Sequence, residues 1–230
     1  MITLLTYPAA AGEFSSSPFC TKAAYLLALA EKNWHREDTM DPRKMQYGKL
    51  PVIRTEERLI ADSDAIREFL EADGTDFDVG LSDLDKANAR AFIRMAEEHF
   101  YFHLVLDRWA DDSVWSKIRE IYFSSIPKPL RAIVANRLRR QLLRSMQTHG
   151  LGRFSAPERM LRIEPDLQAV AKRLWATRYL FGDCPSAADC SVAAMLGAMR
   201  ATPVDTELKI RVASDALISD YIDRMQRLLP

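Results

Sequence analysis

Apolar and polar positions along the chain change their period near residue 80. Before that point ITLLTY (2–7) is a short, β-rich apolar run ended by Pro8. Residues 8–16 then carry Gly and Ser ahead of an alanine-rich stretch of helical period from Pro18 to about Lys32. WHREDTM (34–40) alternates weakly, and PVIRT (51–55) and RLIA (58–61) flank a polar turn at Glu56-Glu57. SDAIREFLEAD (63–73) returns to helical period with Ser63 as its N-cap. These segments predict β-α-β, then a β-hairpin, then a helix. GTDFDVG (74–80) has no period and reads as a linker. Beyond it every strong pattern is helical: 84–110, 129–150 with a Gly stop, 157–177, 186–200 and 214–229. Ser186-Ala-Ala-Asp189 is a capping box that opens one of these helices. The pattern predicts a small α/β unit over 1–75 and an all-helical unit over 82–230.

Composition adds one asymmetry. A chain of 230 residues with 48% hydrophobic content sustains a well-buried core. Lys plus Arg and Asp plus Glu both total 32, so there is no overall positive field of the kind that binds nucleic acid. Residues 1–80, however, carry 9 basic and 14 acidic side chains, and residues 81–230 carry 23 and 18. Two units of opposite sign attract each other, within one chain or between two. Three cysteines are an odd number without the density of a secreted scaffold. The first residues lack a basic n-region, and no apolar run reaches about 18 residues. The expectation is a reduced, soluble, cytoplasmic protein without a membrane span.

Chemistry concentrates at the joints between elements. Ser17-Pro18-Phe19-Cys20 sits where the first helix begins, and Ser17 has two readings. It is a good N-cap ahead of Pro18, or it is a hydroxyl placed at the positive end of a helix, where a bound thiolate is stabilised. Cys20 has Ser17 at its partner position, which excludes a CxxC disulfide cycle and leaves two readings, a small apolar residue in the first helical turn or a lone reactive thiol. His99, His103 and Asp107 are spaced i, i+4, i+8, but no HExxH pattern or paired-cysteine motif completes a metal site, and none is assigned. Arg131, Arg137, Arg139, Arg140 and Arg144 share one helix without interleaved aromatics, a solvated basic face and not a nucleic-acid motif.

Five segments in order resemble the glutathione transferase superfamily: Ser17-Pro18-Phe19-Cys20, Gly48-Lys49-Leu50-Pro51-Val52, Ala61-Asp62-Ser63, Glu97-Glu98-His99 with Arg108-Trp109, and GDCPSAADCSV (182–192). The nearest likeness is to the Fax and metaxin-like branch. The resemblance implies a thioredoxin-like N-terminal domain followed by a helical-bundle C-terminal domain. It implies that Ser17, or Ser16 one residue earlier, hydrogen-bonds the sulfur of glutathione and lowers its pKa. By the same resemblance Pro51 is a cis-proline that turns the backbone of Val52 toward the ligand, with Leu50 and Lys49 beside it, while Asp62 and Ser63 hold the γ-glutamyl carboxylate and amine.

The family's long helix walls the second-substrate pocket, which makes His99, His103 and Trp109 candidates there. The implied activity is conjugation of glutathione to an electrophilic, apolar small molecule, with glutathione as co-substrate, no metal or organic cofactor, and a homodimer as the assembly. The branch also includes members regarded as adaptors, so the alternative is a non-catalytic interaction module in which Ser17, Pro51 and Ser63 survive as cap, turn and cap.

Overall fold

The protein is described by a computed structural model over residues 1–124 and 126–230. β1 (Ile2–Thr6) and β2 (Trp34–Asp38) are parallel neighbours joined through α1 (Pro18–Leu29). A short 3₁₀ turn at Pro42–Lys44 leads to β3 (Val52–Arg54) and β4 (Leu59–Ala61), an antiparallel hairpin that extends the sheet in the order β2-β1-β3-β4, and α2 (Ser63–Ala72) follows. The period of two is visible in the packing. Leu4 and Ile53, cross-strand partners, join the large core with Ala23 and Leu27 of α1, whereas Leu5 and Val52, one residue along, join Cys20, Leu50 and Ala61 in a smaller cluster.

The remainder is helical. The pattern over 84–110 becomes α3 (Asp83–Met95), a π-helical turn (Ala96–Phe100) and α4 (Tyr101–Trp109), which run on without a break. α5 (Asp112–Tyr122) was not foreseen. α6 (Lys128–His149), α7 (Ala156–Ala176), α8 (Ala187–Arg200) and α10 (Ala216–Gln226) match the expected segments, whereas a 3₁₀ turn (Leu151–Arg153) and α9 (Glu207–Ser214) fall outside them. This is the fold of a four-stranded thioredoxin-like sheet domain followed by a helical domain.

α8 is buried along almost its whole length and is the spine on which α1, α3, α9 and α10 pack. Its capping box forms as expected. The Ser186 N–H donates to Asp189 Oδ2 at 2.8 Å, and Asp189 also accepts from the Leu180 N–H at 3.0 Å and the Tyr221 hydroxyl at 2.9 Å. That carboxyl is fully enclosed, and its four partners are what make its burial tolerable. Residues 74–80 are not a loose linker: Phe77 is buried in the core, and Arg67 pairs with Asp78 at 3.1 Å. One core therefore runs from Leu4 in the sheet to Met199 in α8. Among the described residues, no helix is long and apolar enough to cross a membrane.

Candidate functional site

Pro18 occupies the first turn of α1, and Ser17, with extended backbone, stands at the N-cap. The Ser17 hydroxyl nevertheless accepts no hydrogen bond from the helix. Its capping reading is met in position only, and the oxygen stays at the positive end of α1. Ser15 organises the approach: its hydroxyl donates to the Tyr7 carbonyl at 2.9 Å and accepts from the Ser17 N–H at 3.2 Å. Cys20 lies fully buried beneath the hydroxyls of Thr6, Ser15 and Ser17. Burial pushes its thiol up, against a weaker pull from those hydroxyls and the Tyr7 backbone, so it stays neutral and packs as a small apolar group. Tyr7, at the end of β1, is pushed up to about 12, first by burial and then by Cys20 and Tyr101. It offers no phenolate at neutral pH.

The hairpin entry and the start of α2 close around the same point. Leu50 packs in one cluster with Cys20, the Leu50–Pro51 peptide is cis, and the Asp62 N–H donates to the Pro51 carbonyl at 3.2 Å. Val52 does not fit the role expected of it. It pairs with Leu5 on one side and Ala61 on the other, so the sheet already uses its backbone groups. The residue that flanks Pro51 outside the ladder is Leu50. Lys49 is exposed beside Gly48, whose φ of 62° makes the turn.

The cap of α2 is also corrected. Asp62 and not Ser63 is the N-cap, its Oδ1 accepting from the Asp64 N–H at 2.8 Å and the Ala65 N–H at 3.4 Å. Asp62 holds a φ of 88°, a left-handed conformation that a non-glycine residue rarely adopts. Ser63 is the first residue of the helix and is buried.

His99, His103 and Trp109 do not wall the cleft. His99 Nδ1 lies 2.5 Å from Asp166 of α7. The two ring nitrogens of His103 sit 3.1 Å from the carbonyls of His99 and Arg159, and burial lowers its pKa to about 4. Trp109 stacks against Trp115 of α5 with ring centroids 4.8 Å apart. The side of α4 turned to the first domain carries Tyr101, edge-on to Phe19 at 4.9 Å, and Arg108, which together with Tyr122 of α5 and Ser16 lines a narrow interdomain cavity. The sequence held a signal for this: Tyr101, Leu104, Val105 and Arg108 follow one stripe at helical spacing.

Comparison with known proteins agrees with this fold. Residues 18–114 match the glutathione S-transferase N-terminal domain, and residues 154–224 match the glutathione S-transferase C-terminal domain. The chain is 27% identical over 235 residues to the isoprene-epoxide–glutathione S-transferase of Rhodococcus sp. (strain AD45), covering 99% of this chain and 98% of that one. It is 25% identical over 146 residues to metaxin-2 of Homo sapiens, covering 63% of this chain and 56% of that protein. Among solved structures, glutathione transferase GSTFuA3 from Phanerochaete chrysosporium superposes with a TM-score of 0.65 at 18% identity, over 99% of this chain and 96% of that one. FzlA from C. crescentus superposes with a TM-score of 0.58 at 17% identity, over 97% and 87%.

Proposed function

The chain belongs to the glutathione S-transferase superfamily, and we propose that it binds glutathione against the first domain and transfers its sulfur to an electrophilic, apolar small molecule held between the domains. The observation that carries this reading is the Ser17 hydroxyl, placed at the N-terminus of α1 and making no capping bond to the helix backbone. A donor there stabilises the thiolate of bound glutathione over the thiol, and the helix end adds a favourable field. The thiol proton leaves to solvent, and the sulfur lone pair forms the new bond to carbon. The leaving group, or an opened ring oxygen, departs with the electrons of the bond that breaks. Ser16 is the neighbouring alternative for the same role.

The rest of glutathione takes its partners, in this reading, from the hairpin entry and the start of α2. Leu50, outside the ladder and ahead of the cis-proline, offers backbone N–H and C=O to the cysteinyl residue as a strand would. Lys49 meets a carboxylate, and Ser63 at the start of α2, with Asp62 before it, meets the γ-glutamyl end. Glutathione is co-substrate here, and no metal or organic cofactor enters the reaction. The same reading carries a cytoplasmic homodimer, in which the acidic first domain of one protomer faces the basic helical domain of its partner.

A second reading is favoured by one observation. The carboxylate of Asp62 already fills the N-terminus of α2, where an incoming γ-glutamyl carboxylate is to sit. A site blocked in this way leaves a folded interaction module without conjugating activity, a reading to which the likeness to metaxin-2 also inclines. Calorimetric titration of reduced glutathione, with Ser63→Ala as control, separates the two. Saturable binding weakened in the variant supports the transferase and opens an electrophile screen with Ser17→Ala and Ser16→Ala. No binding at millimolar glutathione by the folded protein overturns it.

A further inference from the structure

Arg108 is a buried cation, 5% exposed, whose hydrogen-bond acceptors are all uncharged: Thr202 Oγ1 at 3.3 Å, the Ala198 carbonyl and the Tyr122 hydroxyl. No carboxylate bonds this guanidinium directly; its field pulls down the pKa of Glu13 and of Asp107, while its hydrogen bonds to neutral acceptors are what fix its direction. The third of these bonds leads to the site. The Tyr122 hydroxyl, accepting from Arg108, donates in turn to the Ser16 carbonyl at 3.3 Å. A charged donor fixes the tyrosine oxygen more firmly than a neutral one and strengthens the bond that the hydroxyl makes onward.

The loop that this bond reaches is held from both domains. Residues 8–16 carry Ala11 and Gly12 in left-handed conformations and no regular structure longer than a single bridge pair. Within the first domain the Ser16 N–H donates to the Pro8 carbonyl at 2.9 Å and Arg36 to the Phe14 carbonyl at 3.0 Å, and the helical domain adds two further holds. Buried Glu13 accepts from Gln226 at 2.8 Å and rests on Gly197, where an added Cβ would lie 3.2 Å from its Oε2. Tyr122 then takes the far end of the loop at Ser16. Tyr122 lies in the stretch between residues 114 and 154 that neither glutathione S-transferase domain match covers.

We infer that Arg108 and Tyr122 are positioning residues for the sulfur-binding turn: the guanidinium fixes the tyrosine hydroxyl, the hydroxyl holds the Ser16 carbonyl, and the Ser16–Ser17 peptide is thereby set from the helical domain. The inference rests on the transferase reading of Ser17 for its chemical consequence, though the tether itself does not need glutathione. Holding Ser17 in place matters because a donor displaced from the sulfur loses most of its effect on the thiolate.

The test is Tyr122→Phe, which keeps the ring and removes only the hydroxyl. In the ligand-free protein, hydrogen exchange at the Ser16 and Ser17 amides is expected to quicken about fivefold or more, the worth of a neutral hydrogen bond. Calorimetry is expected to give a glutathione affinity within about twofold of wild type, because Lys49, Leu50 and Ser63 are untouched. The fraction of bound glutathione present as thiolate, read from its ultraviolet band at neutral pH, is expected to fall about threefold or more. A hydroxyl with a merely structural role lowers the melting temperature and leaves the thiolate fraction unchanged, and that outcome overturns the inference. So do unchanged exchange rates. A wild-type protein that takes no glutathione sinks the transferase reading, and the exchange comparison, which uses no ligand, still decides the tether.

Discussion

Lys22 of α1 and Glu97 of the π-helical turn form an ion pair across the boundary between the sheet and the helices, Nζ to Oε1 at 2.6 Å, with the lysine 1% exposed. Neither charge stands alone. Lys22 also meets Asp64 of α2 at 2.6 Å, Glu97 accepts from Ser191 of α8 at 2.8 Å, and Arg94 bonds both carboxylates. Removing the network's fully buried cation leaves Asp64 and Glu97 facing each other, with Arg94 bonded to both and Arg90 3.4 Å from Asp64. Lys22→Met is therefore expected to lower stability by about 3 kcal/mol or more, read as a lower urea midpoint at unchanged slope. A variant as stable as wild type shows that the network contributes nothing net.

The same network sets one acid limb of stability. Burial works against ionisation of Asp64, but Lys22, Arg94 and Arg90 outweigh it and hold its pKa below the usual carboxylate range. A depressed carboxyl contributes stability above its unfolded pKa, and that contribution is lost as pH falls through the folded value. Lys22→Met is expected to flatten the loss of stability below about pH 4 relative to wild type, measured as urea midpoint against pH.

Two groups on α4 pull in opposite directions at higher pH. His103 is lowered to about 4 by burial, so its contribution is present above its unfolded pKa and fades as pH falls from about 6.5 toward 4. Asp107, 2.9 Å from the Thr206 hydroxyl, is raised to about 6 by burial, so the folded state holds its proton more tightly and stability is lost as pH rises through that window. Asp107→Asn keeps the acceptor for Thr206 and removes the buried charge. It is expected to be more stable than wild type at pH 7, by at most about 3 kcal/mol, and to lose that advantage steadily down to about pH 4. Equal stabilities at pH 7 mean that Asp107 is solvated in the folded protein.

Cysteine accessibility follows from burial. Cys20 and Cys190 are enclosed and Cys184 is exposed. Burial raises Cys190 first and Asp189 beside it raises it further, while Cys20 is raised by burial alone. A thiol reagent is expected to titrate only Cys184 in the native protein and all three thiols in denaturant, with the modified residues identified by peptide mass. Labelling of native Cys20 on the same timescale as Cys184 overturns this account of the α1 start.

Element order was legible in the sequence because period and caps act locally: β-branched runs ended by Pro8, the capping box at Ser186 and the glycine stop at Gly150 depend on near neighbours. α5 escaped notice although Asp111 caps it and Val114, Trp115 and Ile118 mark its buried side. It is short, and its apolar residues follow closely on those of α4. The places of Ser17, Leu50 and Ser63 at or beside element ends were legible. On the long helix, His99, His103 and Trp109 are candidates through the resemblance, which makes the helix a wall without fixing which of its faces turns to the cleft. Their partners, Asp166, the Arg159 carbonyl and Trp115, lie on α7 and α5, and only the packed helices decide which way each side chain faces. The Asp62 cap was missed because its φ of 88° depends on the hairpin that delivers it and not on the helix it opens.

Ser17→Ala separates the two readings of one hydroxyl. Were Ser17 an ordinary N-cap, its loss would cost about 1 kcal/mol of stability. The hydroxyl makes no capping bond to the helix backbone, so the variant is expected to stay within about 0.5 kcal/mol of wild type. If the hydroxyl faces the sulfur of glutathione, the same change removes a donor that acts on developing thiolate. Turnover is then expected to fall on the order of 10²-fold while glutathione affinity is kept, since the peptide is held elsewhere. Ser16→Ala leaves the backbone carbonyl that Tyr122 grips and is expected to change turnover little. A reversed ranking of the two alanine variants moves the sulfur ligand to Ser16. An unstable but fully active Ser17→Ala returns Ser17 to its role as a cap and removes the chemical ground on which the transferase reading stands.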